Sequence, residues 1–340
     1  MEGQGELLRA DELQALARAV LEGVGASADT ARVVGDSLVE ANLRGHDSHG
    51  VRRLAPYVQF VRDGDVDPAA APEVALRRGA VAIVDGRLGF GQLAGRMAVR
   101  EAAALAREHG VAAVAIRRGA HIGRLGEYVE ALALEGFVAL AFCNTDPTVA
   151  PFGGRERRLG TNPLAWAAPR RPPAPALVMD WATAAVAEGK LAVARVRGER
   201  APAGALVDAQ GRPSTDPADF YAGGALLPFG AHKGSGLAVM IELVGGALTR
   251  AGLSTLDGHG LGNGTVLIAL DVAAFVPREE YEAQAEAFCA ALAGTAPAHG
   301  FEEVLVPGEM EVRTRARRAR DGVPLPAATW TELQALRDSS

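Results

Sequence analysis

The chain has 340 residues, 49% apolar and 22% charged, and its 35 basic and 41 acidic side chains give a net charge of −6. Such a length holds one large domain or two to three ordinary ones around a sizeable core, and the composition excludes disorder, collagen, a coiled coil and a secreted mini-protein. The acidic balance disfavours a protein built mainly to bind nucleic acid, and no apolar run reaches the ~18 residues of a membrane span. The start, MEGQGELLRADELQ, lacks the apolar stretch of a signal peptide. Cys143 and Cys289 make no disulfide framework and are expected to be buried thiols in a reducing cytoplasm.

Leu13, Leu16, Ala17, Val20 and Leu21 recur at helical spacing and predict a first helix, with Asp11 as start signal and Gly23 as stop. A second helix is predicted from about Ala28, capped by Ser27, with Val34, Leu38 and Ala41 on one face. Residues 81–84 read as a short strand ending in the Asp85-Gly86 turn. A helix over about 95–109, closed by Gly110, precedes a buried strand at 111–116. Next come a helix over about 125–135 and strands at 137–144, 164–168, 176–180 and 266–270. Longer helices are predicted at about 234–248 and 278–292, and Trp330, Leu333 and Leu336 predict a last one. This alternation is that of a mixed α/β protein.

Several clusters carry chemistry. Gly89, Gly91 and Gly95 form a GxGxxxG run between a strand and a helix, the setting of a dinucleotide loop, with Arg117 and Arg118 where a 2′-phosphate would sit. Asp85-Gly86-Arg87-Leu88 separates those glycines from the strand, the third glycine is one residue late, and no acidic residue ends the next strand. These three features count against a Rossmann loop.

Residues 44–53, RGHDSHGVRR, gather two histidines, an aspartate, a serine and three arginines. Histidine suits proton transfer near neutrality, and an arginine fork suits a carboxylate. A polar helix terminus explains the same residues without function. His46-x-x-His49 with Asp47 lacks the HExxH pattern of a metal helix. Ser48 beside His49 would serve a hydrolase, but adjacent residues rarely point at each other productively, and no GxSxG elbow occurs. His121 lies between a strand and a helix, where site residues or a simple cap are both expected. Asn144, Thr145, Thr161 and Asn162 are polar groups at strand ends, and turn chemistry also accounts for them. Lys233 lies among glycines before a helix, a place for a phosphate, although the Walker pattern is not matched. The arginine run Arg313, Arg315, Arg317, Arg318 and Arg320 reads as a solvated face.

Taken in order, LRGHDSHGVRRLAPYV, HIGRLGEY, VAPFGG with LGTNP, MDWAT with GK, STDP, LLPFGAHKGSGL and VPGE resemble the malate/L-lactate dehydrogenase family with a non-Rossmann NAD(P) fold, whose members include sulfolactate and ureidoglycolate dehydrogenases, diketogulonate reductase and piperideine-2-carboxylate reductase. The matches run from about residue 40 to 310. The resemblance implies an α/β (α+β) fold with a largely antiparallel mixed sheet, in which the GFGQLAG segment is a structural turn. It implies a helical dimerisation domain from residues 1–75 with 310–340. A nucleotide-binding domain would then take residues 76–309, including a helical portion about 231–295.

The implied activity is hydride transfer between NAD or NADP and a small 2-hydroxy acid or its 2-keto acid, in a cytoplasmic homodimer, with no metal and with neither nucleic acid nor membrane as partner. By the same resemblance, His49 is the general acid/base and Ser48 and Arg53 are substrate contacts, Arg53 for the carboxylate. His121 is a second active-site histidine, and family members differ over which histidine is the acid/base. Thr161 and Asn162 are substrate-side groups. Asn144, Thr145, Asp180, Trp181, Ala182, His232, Lys233, Pro307, Gly308 and Glu309 are nucleotide contacts. Ala184 and Ala185 stand where many relatives have Ser after the DxAT threonine, and Ala205-Leu206-Val207-Asp208 lacks a usual Trp. His232 replaces a common bulky residue. A cyclic imino acid reductase, a metal-free hydrolase using the His/Ser cluster, and a silent nucleotide-binding dimer are the alternative functions.

Overall fold

All five residues of the first apolar stripe are buried in the helix Ala10–Gly23 of the computed structural model, which describes residues 6–256 and 262–338. The chain enters that helix at Arg9, whose N–H donates to the Glu12 carboxylate at 3.1 Å, so Asp11 lies in the first turn and is not the cap. Ser27 does cap the helix Ala28–Leu43, its Oγ accepting from the Thr30 N–H at 3.2 Å. These helices pack with Leu54–Arg62 and with the C-terminal helix Ala327–Asp338 around Leu13, Leu38, Leu54 and Leu333, each fully buried. Chain ends far apart in sequence thus share one apolar core. Each such leucine side chain contributes roughly 1.5–3 kcal/mol through burial.

A second core is built on a sheet that has seven strands among the described residues. Their order is Glu73–Arg78, Val81–Asp85, Val111–Arg117, Thr265–Asp271, Phe137–Cys143, Leu164–Ala168 and Leu177–Trp181. Only Val81–Asp85 and Val111–Arg117 pair in parallel; every other neighbouring pair is antiparallel. The mixed, largely antiparallel sheet expected from the resemblance is present, and no doubly wound crevice arises. The edge strand Glu73–Arg78 was not foreseen: it is exposed along most of its length and lacks the apolar alternation of a strand.

The helix after the glycine run begins at Gly91, not Gly95, and continues to His109. GFGQLAG is therefore mostly the first turn of a helix, with only Gly89 and Phe90 ahead of it, and not the turn that the resemblance implied. A methyl group on Gly91 would stand 2.4 Å from the Ala120 carbonyl oxygen, and one on Gly95 would stand 2.4 Å from the Tyr128 ring. Those glycines admit close packing. Similarly, the predicted helix 234–248 is an α-helix over His232–Ile241 followed by a π-helical stretch over Glu242–Ala247. The strand predicted to end at Asn144 ends at Cys143, and both cysteines are buried and free. No helix among the described residues is long and apolar enough to cross a membrane.

The two cores are clamped by polar contacts. Ser37 Oγ donates to Glu127 at 2.5 Å, Arg96 pairs with the same carboxylate at 3.0 Å, and Arg44 reaches Glu130 at 2.9 Å. The arginine run lies on the helix Glu309–Asp321, and the expectation of a wholly solvated face fails there. Arg318 is largely buried and holds Asp47 at 2.6 and 3.0 Å, while Arg315 pairs with Glu40 at 2.8 Å. Helical spacing turns one side of the run toward the N-terminal helices.

Candidate active site

The DSHG loop is shaped from beneath. Asn42, almost fully buried, donates to Asp47 at 2.7 Å and accepts from the Val51 N–H at 2.8 Å. A methyl group on Gly50 would meet the Asn42 side chain at 2.1 Å, so only glycine fits. Two short 3₁₀ turns, Asp47–His49 and Val51–Arg53, then carry the candidate residues. Ser48 Oγ and His49 Nδ1 are 2.9 Å apart. The neighbours do meet, against expectation, because the tight turn folds the serine back on the ring. No carboxylate among the described residues orients His49 as a hydrolase triad requires. Asp47 is taken by Asn42 and Arg318, and no group of three metal-ligating side chains occurs among the described residues. Arg53 Nε donates to the Ser48 carbonyl at 2.8 Å.

His121 is brought to this loop by the segment that follows strand Val111–Arg117. Its ring stacks on His49, with centroids 5.6 Å apart and planes 26° apart. Tyr57 Oη lies 2.7 Å from His121 Nδ1, and Gln92 Nε2 donates to Tyr57 Oη at 2.8 Å. Burial pushes His49 down to about 3, and the positive charge of Arg53 pushes the same way. Burial also holds His121 well below its ordinary value, with Arg53 and then His49 adding to the effect. His46 is lowered to about 4 by burial, then by Arg124 and Lys190. At neutral pH all three imidazoles are uncharged. Burial raises Tyr57 to about 12, so its hydroxyl stays protonated.

The opposite wall comes from the segment after strand Leu177–Trp181. Gly189 packs so closely that a methyl group there would stand 2.9 Å from Ser48 Cβ. A cleft of about 250 Å³ opens beside this contact, lined by Ser48, Arg52, Arg53, Glu188 and Gly189, with Glu332 of the last helix.

The sheet edge that carries Ile116, Cys143, Thr265, Leu164 and Trp181 gathers the remaining candidates. Asp180 accepts from the Gly126 N–H at 2.7 Å, and burial raises its pKa. Thr183 N–H donates to the Thr161 carbonyl at 2.8 Å, and the Phe229 N–H to the Thr183 carbonyl at 2.9 Å. The segments with Trp181–Ala182 and His232–Lys233 are thereby neighbours. The Val178 N–H donates to the Pro307 carbonyl at 3.4 Å, which brings Gly308 and Glu309 to the same strand. Glu309 accepts from the Val306 N–H at 3.0 Å. His232 and Lys233 are exposed, and His232 meets the Phe152 ring edge-on at 5.9 Å.

The side chains of two further candidates, Asn144 and Asn162, are turned inward. Asn144 is fully buried; its amide donates to the Gly252 carbonyl at 2.9 Å, and its Oδ1 accepts from the Gly264 N–H at 3.1 Å. Asn162, also fully buried, donates to Ala238 O at 3.0 Å and Glu242 at 2.8 Å and accepts from the Thr145 N–H at 3.1 Å. Both side chains are consumed in shaping turns. Thr145 and Thr161, with hydroxyls 3.2 Å apart, remain partly open.

Sequence reasoning missed the groups that organise these parts. Glu242 is buried in the π-helical stretch and accepts from Asn162, the Gly160 N–H at 3.4 Å, and Ser254 through its N–H at 3.0 Å and its Oγ at 2.5 Å. Asn263 joins the halves, accepting from the Ile122 N–H at 3.3 Å and donating to the Asn144 carbonyl at 3.2 Å. Arg124, buried between Glu130 and the histidines, was missed too. A lone Glu in an apolar helix was the one available signal.

These features place the chain in a known class. The profile of the malate/L-lactate dehydrogenase family matches residues 8–334, and the chain belongs to that family. It is 39% identical over 332 residues to an L-lactate dehydrogenase of Cupriavidus necator, covering 95% of each chain. It is 35% identical to a Delta(1)-pyrroline-2-carboxylate reductase of Burkholderia ambifaria, covering 98% of each. The sulfolactate dehydrogenase of Methanocaldococcus jannaschii superposes with a TM-score of 0.91 at 32% identity, covering 98% of this chain and 97% of that one. The protein is an oxidoreductase that acts on a small molecule.

Proposed function

We propose that the chain interconverts a small 2-hydroxy acid and its 2-keto acid, with NAD or NADP as cofactor. The observation that carries this reading is the stacked, uncharged pair His49 and His121 beside the Arg53 guanidinium. A 2-keto acid presents a carboxylate one bond from a carbonyl. The arginine fork suits the first and a histidine suits the oxygen of the second.

The residues along strand Leu177–Trp181 and at its end of the sheet fit a nicotinamide dinucleotide. Lys233 is exposed in the first turn of the helix His232–Ile241 and has no ion pair among the described residues, so ammonium and helix N–H groups favour a phosphate together. Backbone at Asp180–Ala182, with Thr145 and the substrate-side Thr161, lies at that end of the sheet, and Pro307–Glu309 packs beside Val178 of the same strand. When bound, the reduced nicotinamide supplies hydride to the carbonyl carbon.

His49 then gives its proton to the carbonyl oxygen: the ring N–H bond breaks, the O–H bond forms, and the imidazole is left neutral. One keto acid, one reduced nicotinamide and one proton yield a hydroxy acid and the oxidised cofactor. Burial is the main reason that His49 stays deprotonated and the Arg53 charge adds to it; a carboxylate on Arg53 offsets that second contribution, so substrate binding favours proton uptake by the acid. Arg53 thereby fixes which face of the carbonyl is presented, the orientation part of catalysis.

A cyclic imino acid is the second reading. It carries the same carboxylate beside a C=N bond, and the reductase of Burkholderia ambifaria supports it. The proposal also includes a cytoplasmic homodimer, with residues 1–75 and 310–340 as its dimerisation domain and 76–309 as the nucleotide domain. The test is oxidation of NADH and NADPH against a panel of 2-keto acids and cyclic imino acids. Turnover with a keto acid is expected. Turnover only with imines selects the second reading, and silence with no nucleotide binding overturns both.

A further inference from the structure

Two groups converge on one nitrogen of His121, a third orients one of them, and together they determine where its proton sits. The Gly123 backbone N–H approaches His121 Nδ1 at 3.2 Å. A backbone amide can only donate, so Nδ1 must accept. The Tyr57 hydroxyl is 2.7 Å from the same atom, and Gln92 donates to that hydroxyl at 2.8 Å, which turns the phenolic hydrogen toward the imidazole. Gln92 is fully buried, and its Oε1 has no partner among the described residues. Rotating the amide to satisfy Oε1 would make Tyr57 donate to Gln92 and accept from a proton on Nδ1. That proton would face the Gly123 N–H head-on. The network tolerates one unpartnered amide oxygen because the backbone donor cannot turn away.

We propose that Tyr57 is a positioning residue which, with Gly123 and Gln92, holds His121 as the neutral tautomer protonated on Nε2. In the reaction, His121 then offers an N–H hydrogen bond to the substrate oxygen and exchanges no proton, while His49 is the group that protonates and deprotonates. This inference rests on the keto-acid or imino-acid reading of the site. A second proton on His121 would have to sit on Nδ1, against both donors, and burial opposes the charge as well. No protein group among the described residues bonds to Nε2, which leaves that N–H for the ligand. A neutral imidazole donor polarises a carbonyl without needing acidic pH.

The test is the side-chain nitrogen spectrum of the full-length protein labelled with ¹⁵N-histidine, the His121 signals being those absent from His121→Asn. The expected result is a protonated Nε2 and a hydrogen-bonded, unprotonated Nδ1 at neutral pH. In Tyr57→Phe, the Nδ1 signal is expected to move toward that of a free ring nitrogen, and kcat to fall about 10²-fold, the effect of losing an oriented donor, with KM changed less than about threefold. If Tyr57→Phe does not fold, Gln92→Met removes the donor that turns the hydroxyl and is expected to act in the same direction. A proton on Nδ1 in the unaltered protein, or variants with unchanged spectrum and kcat, overturns the proposal. The spectrum needs no turnover, so its failure is distinct from a silent nicotinamide assay, which would overturn the functional reading instead.

Discussion

Gly189 and Ser48 come from opposite walls of the site and touch: a methyl group on the glycine would stand 2.9 Å from Ser48 Cβ, a separation that real side chains do not adopt. The glycine therefore sets the spacing between the wall that follows strand Leu177–Trp181 and the histidine loop. Gly189→Ala is expected to push Ser48 and His49 out of register and lower kcat/KM about 10–100-fold, since misplacement near 1 Å carries that cost. Thermal unfolding is expected to change little, because both walls are partly open. Wild-type kinetics in the alanine variant would remove Gly189 from the site.

His49→Ala is expected to reduce turnover about 10²–10⁴-fold, the range for losing a general acid. Nucleotide binding, read by titration, is expected to stay unchanged, since the proposed cofactor edge lies on other segments. Survival of turnover here, with its loss in His121→Ala, would exchange the roles of the two histidines.

Arg53→Lys is expected to raise KM for a carboxylate substrate about tenfold or more. Lysine lacks the planar fork, and it also loses the Nε bond that ties Arg53 to the Ser48 carbonyl. An amide analogue of the substrate is expected to lose this discrimination. Equal KM values in wild type and variant place the carboxylate elsewhere.

The buried imidazoles make stability depend on pH. His49 at about 3 and His46 at about 4 lie below the unfolded value near 6.5, and His121 is shifted the same way. Between those limits the unfolded chain binds protons that the folded chain does not. Stability is therefore undiminished above about pH 6.5 and is lost as pH falls, by about 1.4 kcal/mol per pH unit for each histidine at most. Urea unfolding at pH 7.5 and pH 5 measures this. His49→Asn is expected to flatten the decline, and equal stability at both pH values contradicts it.

Glu242→Gln is expected to destabilise the protein by about 2–4 kcal/mol, because one amide oxygen cannot serve all the donors that the carboxylate accepts, and the new NH₂ faces other donors. Calorimetry reads the loss. Nucleotide affinity is expected to fall as well, since the turn bearing Thr145 and Thr161 is built on this residue through Asn162.

Much of the framework was legible in the sequence because it rests on local periodicity. The stripe Leu13 to Leu21, the Ser27 cap and the alternating strand at Val111–Arg117 each follow from neighbours within a few residues. The histidine loop was legible too, since Gly45, Gly50 and the charged cluster around them are unusual in type and spacing. The exposed edge strand and the π-helical stretch were not, because pairing with Val81–Asp85 and the donors around Glu242 override weak local preference.

The sequence by itself determined which chemical groups exist and which short segments carry them: two histidines, an arginine fork and a lysine at a helix start. Only the tertiary structure decided which of these groups meet. It turned Asn144 and Asn162 inward and drew Tyr57 and Gln92 onto His121. It also set Gly189 against Ser48 and pinned Asp47 with Arg318 from the far end of the chain. The physical reason is that a side chain's partner, exposure and protonation depend on segments distant in sequence, which come together only as the buried cores close around them.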